Sequence, residues 1–244
     1  MQPTLGDLRR YAIARSLFPS TTLGRAINKL GFVQADPIRA PARAQDLILR
    51  HRVNNYRAGD LEKRYRKLAI EEDFFVNYGF LTRSLQQRMH PRRFPKPWPV
   101  AWQRQAREIL DFIAEHGPTH PRAINQHFNH GKVTNWFGGR SNVSTQLMDD
   151  MHYRGMLRVS HRENGIRVYA APAQSLSTPD TVTARENMDA LIDVIVDQYA
   201  PLPVASLRQL VRFLRRGVPQ FSADKTAALA RATQRVAKIG RAHV

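Results

Sequence analysis

The chain has 244 residues, 42% of them hydrophobic, which is enough for a packed core and excludes wholesale disorder. Lysine and arginine number 38 against 20 acids, a formal net charge of +18 that is spread along the chain and points to nucleic acid ahead of an anionic membrane surface. There is no cysteine, which excludes disulfides and thiolate metal sites, and no apolar run approaches the ~20 residues of a membrane helix. Charges interrupt the apolar residues of the N-terminus, so no secretory segment is read there, and a cytoplasmic, nucleoid-associated location is expected.

Helical patterns dominate from the start. "LGDLRRYAIARSLF" has apolar residues at three- and four-residue spacing and predicts an amphipathic helix. "TTLGRAINKLGF" opens on cap residues and closes on Gly31. Pro37 and Pro41 bracket a short extended or turn segment containing Gln34 to Arg39. "ARAQDLILRHRV" and "AGDLEKRYRKLA" predict two more helices, and "EEDFFVNYGFLT" a strand or extended segment. The proline-rich "HPRRFPKPWPVAW" reads as a linker.

Three further helices follow, in "AWQRQAREILDFIAEHG", "PRAINQHF" and "SNVSTQLMDDMHYRG", the last capped at Ser141 or Asn142 and stopped at Gly155. "MLRVSHRENGIRVYAA" alternates around Asn164-Gly165, the strongest hairpin signal in the chain. Three helices and a hairpin are the winged-helix order. After the polar linker "AQSLSTPDTVT", the segments "ARENMDALIDVIVDQYA", "PVASLRQLVRFL" and "SADKTAALARATQRVAKI" repeat the three-helix pattern without a hairpin. The expected fold is therefore mainly α with small β-hairpins, built from tandem winged-helix domains. The boundaries expected are 1–97, 98–172 and 182–238. "IGRAHV", at 239–244, back-translates as the start of a common sequencing-adapter oligonucleotide and is read as an artefact, so the natural protein is expected to continue beyond it.

Several constellations could carry function. Arg39, Arg43, Arg50 and Arg52 lie near one another in sequence, and Arg140, Arg154 and Arg167, with Arg158 and Arg162, gather on the third helix and hairpin of the middle unit. The excess of positive charge favours phosphate contact over an ordinary solvated surface, which would mix signs. His116, His120, His127 and His130 are close in sequence, but Gly117-Pro118 breaks the helix between the first two and no carboxylate is well placed. No metal site is read from them. Trp136-Phe137 reads as a core anchor rather than a base wedge.

The remaining signal is Gln34-Ala35-Asp36. In an extended segment residues 34 and 36 share a face, so an amide and a carboxylate can hold one water between them. The plain alternative is an Asp before Pro37 acting as a turn or cap residue. "LGFVQADPIRAPARAQDLILRHRV" resembles the N-terminal motif of the bacterial winged-helix DNA glycosylases that unhook interstrand crosslinks, the AlkZ/YcaQ-like family. In that family a helix end is followed by Gln-x-Asp or Gln-x-Gln and then by a helix ending in arginine. The resemblance extends over "EEDFFVNYGFLTRS", the middle unit and the start of the next. Where relatives carry a Trp-Ala-His-Glu-like segment this chain has "FFVNYG", with Asn77 near the glutamate position, and relatives continue into a C-terminal β-rich domain.

The resemblance implies a DNA repair glycosylase that hydrolyses the N-glycosidic bond of alkylated or interstrand-crosslinked purines. Asp36 would be the general base and the partner of the oxocarbenium-like sugar, and Gln34 would orient the water. It also implies an open, basic, concave surface for double-stranded DNA; no cofactor, no membrane and, with no heptad or long dimerisation helix in the sequence, a monomer are expected. A non-catalytic winged-helix regulator, with Asp36 as a turn residue, is the competing reading.

Overall fold

The structure is a computed structural model that describes residues 3–36, 38–94, 96–128, 131–134, 140–172, 177–221 and 224–242; at 133–134, 140–141 and 235–242 it describes the backbone alone. Among the described residues it is mostly helical, as the residue patterns predict, with three small antiparallel sheets. The chain divides into two compact units. The first joins Met1–Arg64 and Leu68–Met89 to Thr178–Val244; the second comprises Tyr65–Lys67 and His90–Ser177.

In the first unit α1 spans Leu5–Ser16, started by a capping box between Thr4 and Asp7. The expected helix is there, but its expected apolar stripe is not covered: no residue of α1 is buried, and Leu5 and Ile13 are 63% and 60% exposed. At its C-terminal end the Ser16 carbonyl accepts from Arg52 at 2.7 Å, and just beyond Phe18 is buried, with the Lys29 ammonium 4.4 Å from the ring centroid. Helix α2, Leu23–Leu30, is capped by the Thr22 hydroxyl and ends at Gly31 with φ 71°, a conformation that favours glycine. Strand β1 is Phe32–Gln34, α3 is Ala44–Arg50 and α4 is Asp60–Arg64.

"EEDFFVNYGFLT" holds two strands rather than one, β2 (Ile70–Phe74) and β3 (Tyr78–Thr82), followed by α5 (Arg83–Met89). The strand order is β1-β3-β2, all antiparallel. The connection between β2 and β3 is itself buried, because Phe75 and Val76 enter the core. That core also contains Phe32, Leu81 and Leu85 from the sheet and α5. Helices α9 (Thr181–Tyr199), α10 (Val204–Gly217) and α11 (Lys225–Ala242) close over it with Met188, Leu191, Ile192, Val211, Leu214 and Ala228. Each aliphatic side chain so buried contributes roughly 1.5–3 kcal/mol. The helices that the sequence lists last therefore share one core with the segments it lists first. Asp180, in the stretch read as a polar linker, caps α9 through the Thr183 N–H.

The second unit begins where a linker is expected. The proline-rich segment is instead packed: Arg92 is buried and lies over the Tyr153 ring, and Trp98 donates to Asp150. Helices α6 (Val100–His116), α7 (Pro121–His127) and α8 (Val143–Tyr153) enclose Ile109, Ile113, Ile124, Leu147 and Met151. A small ribbon, β4 (Lys132–Thr134) with β5 (Arg140–Asn142), precedes α8 and is absent from the sequence expectation. Strands β6 (Arg158–Glu163) and β7 (Ile166–Ala170) form the expected hairpin. Asn164 and Gly165 both take positive φ, 50° and 86°, as a type I′ turn requires.

Candidate active site

Gln34 ends the edge strand β1 and pairs with Gly79 of the central strand, which pairs in turn with Asp73. Directly paired residues project to the same side of a sheet, so Gln34 and Asp73 flank a residue without a side chain. A Cβ on Gly79 would lie 2.4 Å from the Val33 carbonyl oxygen and 2.5 Å from the Phe32 ring. The sheet is therefore drawn tight beside Gln34. The Ala35 N–H donates to the Tyr78 carbonyl at 3.0 Å, which continues the pairing with β3 one residue past the strand.

Asp36 is held at two points. Its Oδ1 accepts the Ile38 N–H at 2.8 Å, an Asx turn that fixes the side chain. Its own N–H donates to Gln45 Oε1 at 3.2 Å. Gln45, buried on α3, donates through Nε2 to Glu62 Oε1 at 3.0 Å, and Arg43 donates to the same oxygen at 2.7 Å. Glu62 Oε2 is buried with no hydrogen-bond partner. One carboxylate on α4 thus organises the turn that carries Asp36. Beside it, Asp46 accepts from the Tyr56 hydroxyl at 2.8 Å and from the Gly59 N–H at 3.0 Å. Burial first, and then the hydrogen bond and charge of Asp46, push the Tyr56 phenol well above its usual range.

Gln34 and Asp36 are both half-exposed. Among the described residues, the Gln34 amide makes no hydrogen bond and the Asp36 carboxylate accepts only the Ile38 N–H. An amide and one carboxylate oxygen, two residues apart in sequence, are thus left uncommitted. Such a pair can orient a water and remove its proton, or face a developing cation.

The basic residues have different fates. Arg39 and Arg50 are exposed and pair with no carboxylate among the described residues. Arg43 is committed to Glu62. Arg52 donates to the carbonyls of Ser16 and Ile48 and lies over Phe18; burial holds its guanidinium below the usual range. Arg154 stacks on Phe94 and Trp98 and pairs with Asp150 at 3.3 Å. Arg167 pairs with Asp149 at 2.8 Å. The side chain of Arg140, together with His130, Trp136 and Phe137, lies outside what the structure describes. His116 stacks on Phe112 at 4.1 Å, His120 caps α7 through the Arg122 N–H, and His127 packs against Phe112. No group of three or more metal-ligating side chains gathers among the described residues, and none of their helices is long and apolar enough to cross a membrane.

Sequence reasoning missed Gln45, Glu62 and the buried acids of β2. Glu71 pairs with Arg83 at 3.0 Å, Glu72 accepts from Tyr78 at 2.9 Å, and Asp73 accepts from Gln86 at 3.4 Å. One signal was present: three consecutive acids in a strand cannot alternate in and out, so both faces must supply partners.

A family model described as DNA glycosylase AlkZ-like matches residues 27–240. Among solved structures, Streptomyces sahachiroi DNA glycosylase AlkZ superposes with a TM-score of 0.55 at 15% sequence identity, over 91% of this chain and 66% of that one. At that identity the likeness shows the fold, and the chain spans just under two thirds of that structure's length. No curated protein matches the sequence.

Proposed function

The chain belongs to the AlkZ-like DNA glycosylase family, and on that premise we propose that it is a DNA repair glycosylase acting on alkylated or interstrand-crosslinked purines in double-stranded DNA. The observation that carries this is the uncommitted Gln34 amide at the end of β1 and, two residues on, the half-free Asp36 carboxylate, whose backbone N–H is held by Gln45 and through it by Glu62. An N7-alkylated purine already bears positive charge, so it departs with little acid assistance. What the protein must supply is stabilisation of the oxocarbenium-like sugar and a base for the attacking water. Asp36 supplies both through its free oxygen, while Gln34 positions the water. A crosslinked base stays tethered to the opposite strand and cannot be drawn fully into a pocket. A half-exposed carboxylate at a sheet edge suits that constraint.

In this reading α6, α7, α8 and the β6–β7 hairpin form a winged helix, and the protein works as a monomer in the cytoplasm, on the nucleoid. The exposed Arg39 and Arg50 meet phosphates, with Arg140 proposed alongside them. Arg43 serves the motif's frame. Arg52, Arg154 and Arg167 shape the surface while holding the fold.

The Asx turn at Asp36 is the observation that favours the competing regulator, in which the aspartate does nothing more than shape a turn. One substitution separates the two. Asp36→Asn keeps an acceptor for Ile38 and removes the charge. Single-turnover base release from duplex DNA containing N7-methylguanine should fall by about 10²–10⁴-fold, with DNA affinity and melting temperature unchanged. Wild-type release by Asp36→Asn would leave the regulator as the better reading.

A further inference from the structure

Helix α10 presents a surface that nothing above uses. Its buried side, Leu207, Val211, Leu214 and Gly217, faces the core, and Gly217 lies tight against the sheet: a Cβ there would come within 2.9 Å of the carbonyl oxygens of Phe74 and Phe75. The opposite side carries Arg208, Arg212 and Arg215, all exposed, at four- and three-residue spacing. With Ala205, Gln209 and Phe213 they line an open groove of about 340 Å³. The helix, "VASLRQLVRFLRRG", contains no acid, and none of these three arginines pairs with a carboxylate among the described residues. Cations in the last turn of a helix are expected from its dipole, but Arg208 and Arg212 lie before that turn and gain nothing from it. The positive field is felt next door: burial, and after it the charge of Arg215, holds the Lys225 ammonium below its usual range.

We propose that the outward face of α10 is a second docking surface for duplex DNA, on which Arg208, Arg212 and Arg215 bind phosphates of one strand. At 1.5 Å rise per residue the arginines stand about 6 and 4.5 Å apart along the helix axis, and phosphates of one strand advance ~3.4 Å each along the duplex axis, so the row of about 10 Å spans about four phosphates, of which the long arginine side chains can reach three. Phe213, 39% exposed and lining the same groove, supplies an apolar contact for the sugar edge. An unpaired row of one sign on a rigid helix is complementary to a polyanion of fixed charge spacing. Because α10 packs directly on β2, the surface belongs to the same packed unit as Gln34 and Asp36. It anchors undamaged duplex while the motif acts on the lesion. This rests on the reading that the chain acts on DNA.

The test uses the full chain and the triple variant Arg208→Gln, Arg212→Gln, Arg215→Gln, with the corresponding triple lysine variant as a charge-preserving control. The substituted positions are exposed, and circular dichroism and melting temperature verify folding. Affinity for an undamaged duplex is followed by fluorescence anisotropy across salt concentration. Losing three phosphate contacts should reduce the slope of log affinity against log salt by about 2.7, so that the affinity ratio of wild type to variant shrinks roughly fortyfold between about 50 and 200 mM salt. The lysine variant should retain the wild-type slope. Base release at saturating enzyme should be the same in all three proteins. An unchanged slope in the glutamine variant overturns the proposal and leaves the glycosylase reading intact. So does a loss confined to binding of phosphatidylserine vesicles, which would assign the row to a membrane. A reduced slope with no base release by the wild type overturns the glycosylase reading and leaves the surface standing.

Discussion

Glu62 is the residue on which the candidate active site most depends without containing it. Its Oε1 accepts from Arg43 at 2.7 Å and from Gln45 at 3.0 Å, and the Arg43 and Glu62 side chains are only 21% and 14% exposed. Glu62→Ala removes the acceptor from both donors. Both bonds are made to a carboxylate, and a hydrogen bond to a charged group is worth about 1.5–3 kcal/mol, so the sum lies near 3–6 kcal/mol. Arg43 retains some access to water, which brings the expected loss to about 2–4 kcal/mol. Glu62→Gln should lose less, about 1 kcal/mol, since its carbonyl can still serve the two donors. The measurement is urea denaturation, where the midpoint should fall with the slope unchanged. Gln45 would then no longer be held against the Asp36 N–H, and displacement of the loop by a fraction of an ångström should slow single-turnover base release by about ten- to a hundredfold. A stability loss under about 0.5 kcal/mol in Glu62→Ala would refute the network. A full stability loss with wild-type base release would show that the network holds the fold and does not position Asp36.

Other outcomes follow from separate features. Gly79→Ala should destabilise the first unit by about 3 kcal/mol or more, because the new methyl meets backbone at Val33 as well as the Phe32 ring; a normal denaturation midpoint would show that β1 can give way. Arg231 bridges Asp189 at 2.7 Å and Asp224 at 3.1 Å, with only 19% of its side chain exposed, so Arg231→Met should cost about 2–3 kcal/mol by the same denaturation assay. The raised Tyr56 phenol sets a pH limit. The folded protein keeps that proton while the unfolded chain releases it near pH 10, so the contribution is fully present below about pH 10 and declines as pH rises further. Denaturation midpoints between pH 9 and 11 should fall less steeply for Tyr56→Phe than for the wild type.

The features legible in the sequence are those decided by near neighbours. The helix start at Thr22, the stops at Gly31 and Gly155, and the type I′ turn at Asn164-Gly165 follow from a cap, positive φ and alternation within a few residues, whereas Asn142 begins α8 without a side-chain cap. The mainly helical class was readable for the same reason, since apolar residues at three- and four-residue spacing mark helices within a few turns. Partners distant in sequence were not readable. The acids of β2 look like surface residues until β3, α5 and their arginine, tyrosine and glutamine are folded around them. Nor were the partners of four arginines counted toward nucleic acid: Arg43 pairs with Glu62, Arg52 donates to carbonyls, Arg154 stacks on aromatic rings and Arg167 pairs with Asp149. The three-segment order of the chain gave no hint that α9, α10 and α11 would close the core begun by Phe32 and Leu81. Local backbone preference is written into short stretches. Which charges are neutralised, and which apolar faces meet, depends on long-range contacts that only folding makes.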